Sequence, residues 1–379
     1  MNLTPLSCVT SPQPLKIAHI DTGSSLRGGQ RQMLMLAQGL RERGHEQTIV
    51  CLEGSGLEEG AQREGFRIFT LPAYDPGHAF GILLWRQQLK TWAPQILHAH
   101  DGRGQTLAWL ASLGLPLRRV ASRRVTFFPS DRWTYRFKYG HTCHAVIAVS
   151  ENIREHSVQA GVPRERITVI PDGIEIPAEL PSATERLRLR TSWQCENDDF
   201  VVGLLGASTP EKGQDLALAA LAILAENLPK ARLILAGDDA ALPSGMSMHG
   251  ACPDCSRIIH LGPLNDLANF FPGLDLFIMP SRAEGLGSSA LWAMSYGLPV
   301  VATRVGGLPE IVVENETGWL IPPGSPQALA DAILLASRDR AKLLEFGRQG
   351  RQRAEGFSAA IMVSRTEALY QRLVCGKVF

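Results

Sequence analysis

Short apolar runs rich in β-branched residues alternate with amphipathic stretches of helical length along this chain. That alternation limits the fold more than any other feature. In the first half the runs are KIAHI (16–20), TIVCL (48–52), FRIFTL (66–71), QILHAH (95–100), the end of LRRVAS (117–122), AVIAV (145–149) and ITVI (167–170). Between them lie segments such as QRQMLMLAQGLRERG (30–44) and ENIREHSVQAG (151–161). Alternation of this kind predicts βαβ units and a parallel sheet covered on both faces.

The series breaks at PDGIEIPAELPSA (171–183), which is proline-rich and poor in core-forming residues. It reads as an interdomain connection. A second series follows, FVVGLLG, ARLILAG, RIIHLG, DLFIMP, PVVAT and GWLI, and the tail FSAAIMVSRTEALYQRL reads as a separate amphipathic helix. The expectation is therefore an α/β protein of two doubly wound, Rossmann-like domains over 1–177 and 178–355. A helix within 356–379 would pack back across them. At 379 residues the chain is long enough for two cores. Ligands of such folds bind beyond the carboxyl ends of the strands, so the chemistry is sought in the loops there.

Composition excludes several classes. A formal net charge of +1 gives no reason to expect nucleic acid as a partner. Seven scattered cysteines do not form the pattern of a disulfide framework, which favours a reducing cytoplasm. The opening MNLTPLSCVTSPQPL lacks the basic flank and apolar block of a signal peptide. No apolar run approaches the ~18 residues of a spanning helix.

The segment PSRAEGLGSSALWAMSYGLPVVATRVGG (280–307) carries the clearest chemistry. A strand, DLFIM, leads into a loop with one carboxylate, Glu284, and then into a helix opened by Gly287, Ser288 and Ser289. Free amides and the helix dipole favour an anion at that start, and glycine lets it approach the backbone. GLGSSA also fits the dinucleotide fingerprint. However, PSRAE separates it from the strand, and Thr303 and Arg304 stand where a ribose-binding acid is expected. Taken alone, the stretch is also compatible with an unliganded loop whose Glu284 meets the dipole.

This stretch, with LPE and TGWLIPPGSPQALADAI behind it, resembles the donor-site signature of glycosyltransferase family 4, retaining enzymes of the GT-B fold. KIAHIDTGSSLRGGQRQMLMLAQGLRERGHE, HAVIAVSENIREHSVQAGVPRERITVIPDGI and LLGASTPEKGQDLALAALAIL match the same family in its order. The resemblance implies a metal-independent enzyme with no cofactor. It would move a sugar from a nucleotide-diphosphate sugar to a hydroxyl of a glycan, lipid-linked or small acceptor, keeping the anomeric configuration. A nucleotide-sugar epimerase on the same fold and a non-catalytic nucleotide-sugar binder or scaffold are the alternatives.

The resemblance also implies roles. Glu284 is the first carboxylate of an E-x7-E motif and would hold donor-sugar hydroxyls. Gly285, Leu286, Gly287 and Ser288 would present amides to sugar and phosphate. Lys212 in STPEKG would meet the pyrophosphate. His100 would line the cleft at the end of its strand, and Gly28 and Gly29 would approach the donor diphosphate or the acceptor. Base recognition is expected from backbone near Gly262 to Leu264.

Two positions depart from the family pattern. The second carboxylate is Trp292, which has three readings: helix core, a stacking surface, or a weakened donor site. The usual arginine before the STPEKG loop is Ala207, and Arg282 is a candidate to compensate.

Other clusters carry weaker signals. His98 and His100 share one side of their strand, but Asp101 points the other way, so no metal is expected there. CPDC (252–255) is a single knuckle where zinc sites need a second pair. RRVASRRVTFFPSDRWTYRFKYGH (118–141) holds seven basic residues and six aromatics against one acid, Asp131. That composition suits a peripheral membrane contact or an anionic acceptor. A core strand followed by a solvated basic helix explains it equally.

Overall fold

The computed structural model describes residues 13–72, 79–125, 132–237, 255–264 and 266–376. The side chains of the CPDC knuckle, together with His249, lie outside the described residues, as do positions 126–131 of the basic segment. Within the described residues, the strands of the first lobe are β1 (Lys16–Ile20), β2 (Glu46–Leu52), β3 (Arg67–Leu71), β4 (Ile96–Ala99), β5 (Arg118–Arg123), β6 (Ala145–Ala148) and β7 (Ile167–Val169). They pair in parallel in the order β3-β2-β1-β4-β5-β6-β7. The second lobe has β8 (Phe200–Leu205), β9 (Ala231–Ala236), β10 (Ile258–His260), β11 (Leu276–Met279), β12 (Val300–Thr303) and β13 (Gly318–Ile321). These are also parallel, in the order β10-β9-β8-β11-β12-β13.

The strands form where apolar runs are buried on both faces. β4, β6, β11 and β12 are buried at every residue, as a sheet covered on two sides requires. The helices take the other period. Helix Gly28–Glu42 buries Met33, Leu36, Ala37 and Leu40, spaced three and four apart. Strand order reverses between β1 and β4 in one sheet and between β8 and β11 in the other. Each reversal opens a crevice beyond the carboxyl ends of those strands. The loops that carry the candidate residues leave from these two crevices.

Residues 170–182 pass between lobes with no strand or helix beyond an isolated bridge, Ile174 to Ser358. The last helix, Ala359–Val374, packs on the first lobe although it follows the second. Gly39 makes this possible, because a Cβ there would meet Val363 Cγ2 at 2.5 Å. Tyr370 then buries its ring in the first-lobe core and reaches His98 Nδ1 with its hydroxyl at 2.6 Å. Cys51, Cys143, Cys195 and Cys375 are free thiols.

The basic-aromatic segment divides by face. β5 is a central strand, and Tyr135 and Tyr139 are core residues with the Arg123 guanidinium 5.3 and 5.1 Å from their rings. Trp133 and Phe137 point outward, 73% and 39% exposed, with their rings stacked at 5.9 Å.

Candidate active site

Two loops from the second-lobe crevice are held against each other. Gly213 sits at φ +69°, and a Cβ on it would lie 2.1 Å from the Pro280 carbonyl oxygen. Only glycine satisfies both the left-handed backbone and the close approach. The Arg282 amide donates to the Glu211 carbonyl at 2.7 Å, and the Thr303 hydroxyl donates to the Ser281 carbonyl at 2.6 Å. The result places the Lys212 ammonium 2.7 Å from Glu284 Oε2, with the Ser281 hydroxyl at 3.3 Å from the same oxygen. The two side chains are 30% and 11% exposed. A part-exposed ion pair of this sort contributes at most about 1 kcal/mol. A ligand with its own hydroxyls and charges can therefore open it cheaply.

Beside the pair, Gly287 takes φ +99° and starts helix Ser288–Ser295, whose first amides are free of any capping side chain. The loop beneath is tight. A Cβ on Gly306 would stand 1.7 Å from the Glu284 carbonyl oxygen, and one on Gly285 would stand 1.9 Å from that of Arg124 in the other lobe. Gly285 is thus a contact point between lobes. Ser150 donates to its carbonyl at 2.7 Å. Glu310 accepts from the Glu151 and Asn152 amides at 2.8 and 2.9 Å, and Arg31 reaches the Leu264 carbonyl at 3.2 Å.

Arg282 is occupied elsewhere. Its guanidinium grips the Asp215 carboxylate in two bonds, 2.7 and 2.5 Å, and also donates to the Pro210 carbonyl. Trp292 lies half-buried against an apolar cluster drawn from both lobes, on the helix that Glu284 precedes. Ala207 brings no charge to the loop before Lys212.

The first-lobe crevice holds groups that the sequence reading passed over. His19 stands level with His98 on the neighbouring strand. His19 Nδ1 lies 3.0 Å from His100 Nε2, and His100 Nδ1 lies 3.3 Å from an Arg124 amino nitrogen. Arg124 Nε donates to Asp172 at 2.9 Å. Ligand atoms of His19, His98 and His100 fall within 4.8 Å of one another, a spacing that a metal could use. Each ring nitrogen nevertheless has a hydrogen-bond partner, His98 with Tyr370 and Ser122, His19 with Gln47 and His100. Burial lowers His19 to about 4, despite the Gln47 bond, and pushes His98 and His100 well below their ordinary range. All three are neutral at pH 7. Asp101 caps helix Gly102–Ala111 through the Arg103 and Gly104 amides and takes the Thr22 hydroxyl. Beside it, burial and the neighbouring Asp101 raise the Asp21 carboxyl above its ordinary value.

Strand order pairs β1 with β4 directly, so equal height on those strands was the available signal for the histidine cluster. Arg124 and Asp172 had no such signal, because β7 and the loop after β5 meet only in the folded lobe.

Two crevices that face each other across glycine loops define the GT-B architecture. Solved structures agree. Anabaena HepE in complex with UDP superposes with a TM-score of 0.83 over 94% of this chain and 99% of that one, at 22% identity. A glycosyltransferase from Rickettsia africae gives 0.84 over 96% and 99%, at 19% identity. The family patterns go further. "Glycosyl transferases group 1" matches residues 185–353 and "Glycosyltransferase Family 4" matches 26–176. The chain belongs to the family 4 glycosyltransferases.

Curated relatives include the GDP-mannose-dependent alpha-(1-6)-phosphatidylinositol monomannoside mannosyltransferase of Mycolicibacterium smegmatis. It is 28% identical, covering 83% of this chain and 87% of its own. The D-inositol 3-phosphate glycosyltransferase of Segniliparus rotundus is also 28% identical, covering 78% and 70%. Among the described residues, no helix is long and apolar enough to cross a membrane.

Proposed function

We propose that this glycosyltransferase moves a sugar from a nucleoside-diphosphate donor to a hydroxyl of a lipid-linked or other glycan acceptor, without metal and with retention of configuration. The observation that carries the reading is the Lys212–Glu284 pair at 2.7 Å, set between amide-lined loops at the second-lobe crevice. In the reaction the bond from the anomeric carbon to the phosphate oxygen breaks, and its electron pair stays on the diphosphate. The acceptor oxygen forms the new bond on the same face and gives its proton to that departing phosphate oxygen. Lys212 and the amides from Gly285 to Ser288 meet the developing negative charge, and Glu284 holds hydroxyls of the sugar. Preorganised groups of this kind are the main lever on such a barrier.

A lipid-linked acceptor is supported by Trp133 and Phe137, which are exposed and stacked beside Arg136 and Lys138. Aromatic rings flanked by basic residues suit the surface of an anionic bilayer. The name of one relative points the same way, since it acts on a phosphatidylinositol mannoside, whereas the other is named for an inositol phosphate, which carries no lipid. The test offers UDP-, GDP- and ADP-sugars with a membrane extract, with and without EDTA, and follows the new anomeric signal by NMR. Transfer with the donor's configuration and no effect of EDTA is expected, and an inverted product or EDTA-sensitive transfer contradicts it. Trp292 and Ala207 favour a second reading, a nucleotide-sugar binder without turnover. Thermal stabilisation by a donor with neither transfer nor hydrolysis would establish that one.

A further inference from the structure

Arg124 sits where the two lobes touch. Its carbonyl oxygen occupies the space that a side chain at Gly285 would take, 1.9 Å from the would-be Cβ. Its Cδ is the nearest group to Gly29, 4.0 Å from a Cβ there. The residue is thus placed between the glycine loop of the first lobe and that of the second, with a side chain 13% exposed. Its Nε is fixed by Asp172 at 2.9 Å, and one amino group by His100 Nδ1 at 3.3 Å.

The bonds behind it run in one direction. Arginine carries only donors, so His100 Nδ1 must accept, and its proton sits on Nε2. That proton is donated to His19 Nδ1 at 3.0 Å, which places the His19 proton on Nε2. His19 Nε2 donates to Gln47 Oε1 at 3.0 Å, and the Gln47 amide donates to the Ala37 carbonyl at 2.6 Å. Ala37 belongs to helix Gly28–Glu42, the helix that begins with Gly28 and Gly29. The chain therefore ties the guanidinium to the same helix whose start faces the gap. His98, Asp21, Asp172 and Tyr370 also border the buried part, and both His98 nitrogens are taken by Tyr370 and Ser122.

We propose that Arg124 binds the diphosphate of the donor from the first lobe, as the second cation that Ala207 does not supply, and that the His100–His19–Gln47 chain positions it. The proposal rests on the donor-site reading above. His100 is then a positioning residue, since both its nitrogens are engaged. A guanidinium with donors on a fixed fork suits a phosphate oxygen.

Calorimetry with UDP, UMP, GDP, GMP, ADP and AMP tests it on the wild-type protein and on Arg124→Gln and Arg124→Lys. A lost charge-assisted bond predicts that Arg124→Gln weakens the best-bound diphosphate by about tenfold to hundredfold while sparing its monophosphate. Lysine restores part of the loss. Equal loss for both nucleotides, or none, overturns the proposal and leaves the donor-site reading intact. Failure of the wild type to bind any of the three diphosphates removes both. For the positioning chain, nitrogen NMR of the wild-type protein is expected to show His19 and His100 neutral and protonated on Nε2. Protons on Nδ1, or a stoichiometric bound metal by elemental analysis, would overturn it.

Discussion

The two crevices solve the same problem with opposite chemistry. At the second, Lys212 and Glu284 are charged, part-exposed and joined by one bond of 2.7 Å. At the first, His19, His98 and His100 are neutral, fully enclosed and bonded at every ring nitrogen. A part-exposed ion pair is cheap to open, whereas an enclosed network is costly to disturb. On the reading proposed above, substrate contact falls to Lys212 and Glu284 and, at the seam, to Arg124, while the buried histidines of the first crevice serve placement. Mutations of those histidines should then be felt in stability, and mutations of Lys212, Glu284 or Arg124 in binding and activity.

The largest expected effect breaks the exposed side. Lys212→Met should lower kcat/KM by about a hundredfold to a thousandfold, as loss of a preorganised charge does, with little change in the melting temperature. Next comes the seam between the crevices. Gly285→Ala forces a Cβ against the Arg124 carbonyl, so the lobes must part. X-ray scattering should show a larger radius of gyration, with transfer down by about tenfold to a hundredfold as the reacting groups lose alignment.

The buried side is tested by pH. Enclosure leaves His19 near 4 when folded, whereas an unfolded chain takes up that proton near 6.5. Its stabilising contribution is present above pH 6.5 and is lost as pH falls toward 4, by about 3 kcal/mol. Denaturant titrations over that window should show the slope, and a flat profile would mean that the ring is hydrated. The smallest effect belongs to Trp292. Half-burial makes Trp292→Phe a loss of about 1 kcal/mol in stability, with nucleotide affinity nearly unchanged. A large drop in affinity would instead put the indole on the nucleotide.

Much of the architecture was legible because period and burial leave a direct imprint on sequence. KIAHI, PVVAT and GWLI correspond closely to strands, and the proline-rich break at 171–183 falls where the chain passes between lobes. The nearness of Lys212 to Glu284 could be anticipated from family likeness, since no local spacing joins residues on different loops. Arg282 shows the limit of proximity in sequence. Asp215, in the first turn of the helix after STPEKG, holds it by both amino groups. The 118–141 segment shows another limit. Its composition left a binding surface and a core strand with a solvated basic helix equally open, and the structure has a central strand, with Tyr135 and Tyr139 inside and Trp133 and Phe137 outside. Arg124 and Asp172 come together only through tertiary folding, and nothing in their local sequence marks them.

The most direct trial of the account is Glu284→Gln, assayed for sugar transfer and, separately, for binding of the sugar-free nucleoside diphosphate. If the carboxylate holds the sugar while Lys212 and the amides hold the phosphates, transfer should fall by about a thousandfold, with the nucleotide still bound and the circular dichroism unchanged. Undiminished turnover in that variant would contradict the account.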